Sequence, residues 1–349
     1  MATQKALVIP EQFKPFTIAS RVPIPSPGKQ ELLVKVKSAA LNPADWKIQR
    51  FGVVFTSYPA VSGYDIAGEV LSLGEGVEGF EIGDRVFFAS EFNDKVYGGF
   101  QQYALADALT AAKIPSPISH DEASTLPASV SAAYVGLYDD IPRGLGLKSF
   151  VTSPGAYKGQ AIFIVGGSGS VGQATIQLAR LSGFSHIITS SSSKHGSYLK
   201  SLGATHVLDR SLPPSEIKTA VATLSVPPID YAFDAIGAGE TTLVQALAVL
   251  APKGRVVTVE PGFEYKGDAE TLGEKSISNF AALKTVGATP GHMSTLWPVM
   301  SSLLESKELL PQRYEVLPGG LEGIVAGLGR LERGEVSGVK LVVHPEETK

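Results

Sequence analysis

The spacing of apolar and polar positions along this chain changes period after its first third. Over residues 31–39, Glu-Leu-Leu-Val-Lys-Val-Lys-Ser-Ala, the two kinds of side chain alternate. That is the period of a half-buried strand. Residues 63–70, 83–88 and 98–104 are further β-segments, each carrying glycine. Short strands with glycine and proline punctuation predict a small, partly open barrel. Residues 121–135 are alanine-rich and predict a helix behind the cap Ser119. Strands then follow at 161–165, 185–189, 206–208, 229–233 and 255–259, and helices at 173–180, 197–202 and 241–250. Strands separated by helices of this length predict βαβ units around a parallel sheet. Residues 282–288 add an apolar edge strand that Pro290 ends, and residues 341–344 return to strand composition.

One turn in the second region carries chemistry. After the apolar run 160–165 comes Gly-Gly-Ser-Gly-Ser-Val-Gly, which contains Gly167-x-Gly169-x-x-Gly172. A strand lies before it and a helix former after it, which is the context of a dinucleotide fingerprint. Gly167 permits the tight turn, Gly169 lets backbone N–H groups approach a pyrophosphate, and Gly172 lets the helix pack on its strand. Ser168, Ser170 and Val171 complete the cradle at the helix N-terminus, where phosphate charge is favoured. The next strand separates two cofactors. An NAD site usually ends it with Asp or Glu to hold the ribose 2′-OH. Here Ser190, Ser191, Ser192, Ser193 and Lys194 follow instead. Serine hydroxyls and a lysine suit a 2′-phosphate, so the pattern predicts NADPH. The bland reading of the same run is a serine-rich turn.

Composition narrows the remaining choices. The 349 residues suit two domains, and a net charge of −4 offers no basic block for nucleic acid. No apolar run approaches the ~20 residues of a membrane span, and no signal-peptide pattern opens the chain, so cytosol is the expected compartment. Cysteine is absent, which removes disulfides, a thiol nucleophile and cysteine-ligated zinc. The six histidines are scattered, so no metal is expected.

The ordered set Gly63-x-Asp65-x-x-Gly68-x-Val70, Gly83-Asp84-Arg85-Val86, the glycine-rich turn, Leu202-Gly203-Ala204, Asp230-x-x-x-Asp234 and Gly338-x-Lys340-Leu341-Val342 resembles the medium-chain dehydrogenase/reductase superfamily over essentially the full length. The resemblance implies a chaperonin-10-like β-barrel catalytic domain, residues 1–126 and 291–349. It implies a doubly wound Rossmann domain, residues 127–290, inserted between them. Zinc members place Cys and His where this chain has Asn42 and Tyr64. Leu41-Asn42-Pro43-Ala44-Asp45-Trp46-Lys47 is similar to the signature of zinc-free quinone oxidoreductases and enoyl reductases, and its ending most resembles fungal trans-acting enoyl reductases. By that resemblance Asp45, Trp46, Lys47 and Ile48 border the nicotinamide. Ser131, Ile236, Ser337 and Lys340 are further cofactor positions, and Arg210 stands where the family often has Tyr.

The resemblance implies an NADPH-dependent reductase of activated C=C bonds. A carbonyl without a metal must be polarised by hydrogen-bond donors. Lys47 is the candidate to hold the enolate, against a role as a 2′-phosphate or surface contact. Tyr64 is a second candidate, against plain packing. Asp65 orders the barrel, and Asp45 either braces Lys47 or the ribose, or caps a helix. A quinone oxidoreductase, a catalytically silent NADPH-binding scaffold and a zinc alcohol dehydrogenase are the alternatives. The expected partners are a small-molecule or acyl-carrier-bound enoyl substrate, and a second copy joined through residues 282–288.

Overall fold

The computed structural model describes residues 2–90, 96–280 and 292–349. They form two compact units, one of Met1–Ala128 with Trp297–Lys349 and one of Ser129–Leu296. The edge strand expected at 282–288, and the dimer contact expected through it, lie outside the described residues.

The first unit is the GroES-like barrel. The alternating segment becomes the strand Glu31–Ala40, with Leu32, Val34 and Val36 buried and the residues between them half-exposed. It pairs antiparallel with Asp65–Leu73 along its length, and with Tyr103–Asp107 and Lys340–Val343 on its other side. Asp65–Leu73 continues to Arg85–Ala89, and that to Ala111–Lys113. A smaller sheet joins Thr3–Ile9 to Thr17–Pro23 and Ala60–Val61. Gly68 is required where strands approach closely, since a Cβ there would lie 2.1 Å from the Lys35 carbonyl oxygen. One side of the core is closed by the helix Glu322–Glu332, whose Ile324 and Leu328 pack with Leu41, Leu317 and Leu341. The helix expected over 121–135 is two helices, His120–Ser124 and Pro127–Tyr138. Pro127 has no N–H and disfavours helical backbone before it, so the first helix stops.

The second unit is a Rossmann domain. Its six strands are Ala161–Val165, His186–Ser191, His206–Asp209, Ile229–Asp234, Leu250–Thr258 and Ser276–Asn279. All neighbours are parallel, and in chain order they lie 3-2-1-4-5-6. The chain order reverses between the first and fourth strands, and ligands of such sheets bind beyond the carboxyl ends there. Ala161–Val165 is buried along its whole length, as a central strand covered on both faces must be.

Candidate functional site

The glycine-rich turn lies at that reversal. Val165, the last residue of the first strand, is in register with Ser190 on one side and Asp234 on the other. Gly166, not Gly167, carries the left-handed backbone, with φ 79°. Gly167 is small for a different reason: a Cβ there would meet Thr189 Oγ1 at 2.2 Å. Gly172 lies under the turn, where a Cβ would sit 2.3 Å from the Gly166 carbonyl oxygen. At Gly169 the only atom near an added Cβ is that same oxygen, at 3.4 Å, so the turn is open on this side. Gly169 is also the N-cap of the helix Ser170–Leu181. Ser168 accepts from Gln173 Nε2 at 2.8 Å, which fixes the loop to the first turn of the helix.

The second strand ends in the serine run. Ser190 Oγ bonds Gln245. Ser191 is buried, and its Oγ has no hydrogen-bond partner, an orphaned polar atom beside the turn. Ser192 caps a short turn, Ser193–His195, which leaves Ser193 and Lys194 exposed. Arg210 is also exposed, and its N–H donates to Ser191 O at 3.0 Å. One carboxylate that pattern reading passed over is near: Asp209 is in register with Ser191. It is turned onto Ser211, whose N–H and hydroxyl donate to it and hold its pKa below the ordinary value. Across the switch point, Ile236 is exposed, and its N–H donates to Asp234 Oδ1 at 3.1 Å. Ser131, on Pro127–Tyr138, has a buried Oγ without a partner. An open phosphate cradle, an unsatisfied serine hydroxyl and an exposed lysine fit a pyridine nucleotide.

In the barrel, the site residues gather on the helix Pro43–Phe51. Helical spacing sorts them. Asp45 and Ile48 face inward and are buried, Trp46 is half-buried, and Lys47 faces out with Nζ 5.9 Å from the Trp46 ring centre. The helix start is held by two buried carboxylates. Asp45 accepts from Asn42 N–H at 2.8 Å, Ser62 Oγ at 2.6 Å and Gly63 N–H at 3.1 Å. It caps its own helix and pins the loop that leads into Asp65–Leu73. Asp65 accepts from Asn42 Nδ2 at 2.8 Å and from Ala128 N–H at 2.5 Å, and pairs with Lys340 Nζ at 2.6 Å. Lys340 also donates to Asn42 Oδ1 at 2.5 Å. The ammonium of Lys340 is therefore engaged inside the barrel. The Tyr64 ring is buried, and Ser337 lies on an exposed loop before Lys340–Val343. Sequence reading assigned Asp65 an ordering role and Lys340 a cofactor role, but it missed the link that joins them through Asn42, and the part of Ser62. The signal of that link was Lys340, the one charge of the strand Lys340–Val343, and Asp65 at the start of Asp65–Leu73, since buried charges are almost always paired.

Burial pushes the Asp45 carboxyl up to about 6, against the lowering effect of its three donors. Its folded pKa thus exceeds the ordinary 3.8. Stability from this group is full below pH ~4 and lost as pH rises through ~6, about 3 kcal/mol at most. Asp45→Asn should remove this component. The gap between variant and wild-type unfolding free energies should shift by that amount from pH 4 to 7. Parallel curves in urea titrations would refute it.

Comparison with known proteins adds identity to the geometry. Residues 28–116 match the alcohol dehydrogenase GroES-like domain, and residues 170–302 match the zinc-binding dehydrogenase family. A trans-enoyl reductase of Aspergillus japonicus is 33% identical over 327 residues, 90% of this chain and 89% of that protein. The enoyl reductase component of the lovastatin nonaketide synthase of Aspergillus terreus is 30% identical over 352 residues, 95% of this chain and 93% of that protein. The chain belongs to the medium-chain dehydrogenase/reductase superfamily. Within it, fungal trans-enoyl reductases are among its relatives. A mycobacterial protein of this fold, solved in complex with NADPH, superposes with TM-score 0.76 at 21% identity, covering 98% of this chain and 100% of that one. As a member of the superfamily the protein is an oxidoreductase, and its Rossmann unit is the pyridine-nucleotide domain. The zinc-binding name of the second match has no counterpart in a ligand cluster: among the described residues no three His, Cys, Asp or Glu side chains are grouped to hold a metal. Among the same residues no helix is long and apolar enough to cross a membrane.

Proposed function

We propose that the protein is a zinc-independent, NADPH-dependent reductase of activated C=C bonds in α,β-unsaturated ketones, aldehydes or enoyl thioesters. The observation that carries the reading is Lys47, an exposed ammonium on a helix whose start is fixed by Asp45, Asn42, Asp65 and Lys340. The enoyl-reductase activity named for two relatives that align over about nine-tenths of the chain supports it. The serine run, Lys194 and the engaged Asp209 support NADPH over NADH, and the NADPH-bound mycobacterial fold is consistent with that. The metal-free reading is supported by Asn42, whose side-chain oxygen already faces the ammonium of Lys340. A metal cation ligated there would meet a positive charge.

When bound, the reduced nicotinamide supplies a hydride for the β-carbon of the enone. The Lys47 ammonium donates a hydrogen bond to the carbonyl oxygen as negative charge gathers on it. That enolate charge is spread over oxygen and carbon, which suits a hydrogen-bond donor better than the localised alkoxide of direct ketone reduction does. A proton from water then adds to the α-carbon and completes the saturated ketone. Gly169 and the helix behind it would hold the pyrophosphate, and Ser191 and Lys194 would hold the 2′-phosphate.

The test is product analysis with each cofactor, by mass spectrometry and NMR. Saturated ketone is expected with the carbonyl intact, and NADPH should be used in preference to NADH. Lys194→Ala should cost about 1.5–3 kcal/mol of charge-assisted contact, a rise of roughly 10- to 150-fold in KM for NADPH alone. Allylic alcohol as the main product, turnover of quinones only, or equal use of both cofactors would each overturn its part of the reading.

A further inference from the structure

The helix that carries Lys47 also presents apolar surface that the barrel core does not use. Phe51, one turn after Lys47, is 58% exposed, Val53 is 48% exposed, and Phe13 is 61% exposed. Residues at i and i+4 share one helix face, about 5–6 Å apart. Lys47 and Phe51 therefore form one stripe. The stripe is continuous: the Phe51 ring lies 6.2 Å from that of Trp46, and Phe13 Cε1 lies so close to Gly52 that a Cβ there would approach it to 2.5 Å.

Singly exposed apolar residues are ordinary, but a connected group marks a contact surface. This group is also built. Gln12 Nε2 donates to Gly52 O at 2.7 Å, and Gln49 Nε2 donates to Lys14 O at 3.0 Å, so two side chains clamp the segment carrying Phe13 onto the helix. Phe13 itself has φ 65° and Val54 has φ 78°, conformations that cost a bulky or β-branched residue energy. The chain accepts that strain and leaves an aromatic ring in water.

We propose that Trp46, Phe51, Val53 and Phe13 form a wall that binds the apolar chain of the substrate, with Lys47 at its reactive end. The inference rests on the enoyl-reductase reading for the position of Lys47. It makes the preferred substrate a carbonyl compound with a long apolar tail, and it makes Phe51 and Phe13 specificity-determining residues. A tail lying on a wall is covered on one side. Each added methylene should then tighten binding about twofold, half the logarithmic gain of full burial.

The test measures binding and turnover separately on the full chain. Dissociation constants of straight-chain 2-alkanones of four to ten carbons are read from Trp46 fluorescence in a Trp297→Phe background. Values of kcat/KM are read for the matching 2-enones with NADPH. The wild type should bind the longest ketone tens of times more tightly than the shortest. Phe13→Ser with Phe51→Ser should reduce that ratio to within about threefold of one. A ratio does not depend on the fraction of protein that is folded. Val325→Ser, an exposed apolar residue on another helix, should leave it unchanged. Binding that is flat with chain length, or a double variant with the wild-type ratio, overturns the wall. Length-dependent binding without enone turnover upholds the wall and overturns the enoyl-reductase reading instead.

Discussion

Lys340→Met should lower the unfolding free energy of the barrel by about 3–5 kcal/mol, the cost of leaving one member of a buried ion pair alone. Lys340 and Asp65 have side chains 2% and 0% exposed and lie 2.6 Å apart. Without the ammonium, Asp65 is left uncompensated in a dry site beside Asn42, the residue that opens the Lys47 helix. Asp65→Asn in the same chain should recover much of the loss, because no uncompensated charge then remains. Urea unfolding of the two single variants and the double variant gives the coupling directly. A single variant within 1 kcal/mol of wild type would show that the pair does not hold this region.

Lys47→Ala should lower kcat for enone reduction about a hundredfold, the range for removing one donor to a developing oxyanion. The effect belongs in kcat because the partner charge is absent from the ground state. Lys47 is exposed and its ammonium lies over the Trp46 ring, so its removal opens no cavity in the core. The folded fraction should therefore stay constant while turnover falls. Pre-steady-state and steady-state rates on one enone separate the chemical step from release. A variant that changes only KM for NADPH would make Lys47 a cofactor ligand and leave the enolate without its donor.

The parts of the fold that showed in the sequence are those with a strict local cause. Alternation produced the strand Glu31–Ala40, and an apolar run before glycines produced Ala161–Val165 and its turn. Thr3–Ile9 did not show, because four consecutive apolar residues, Ala6 to Ile9, are all buried and no period of two survives. The helix break at Pro127 was written in the chain, yet the alanine-rich composition on both sides outweighed it. In the site, Lys47 and the serine run were visible because motif and charge are local. The link from Asn42 and Asp65 to Lys340 was not, since nearly 300 residues separate its ends and only the closing of the sheet brings them together. Asp209 was hidden for another reason: its bond to Ser211 is local, but its place beside Ser191 comes only from the parallel register of two strands.

That long separation has a consequence for how the protein is made. The Rossmann unit is one uninterrupted stretch, Ser129–Leu296, whereas the barrel is assembled from the two ends of the chain. During synthesis from the amino terminus, the parallel sheet can complete while the ribosome still holds the tail. The barrel cannot. Until Lys340–Val343 emerges, Ala39 and Ala40 lack their edge partner and Asp65 lacks its cation. Lys340–Val343 therefore acts as a locking strand, and the order of birth is Rossmann unit first, barrel second.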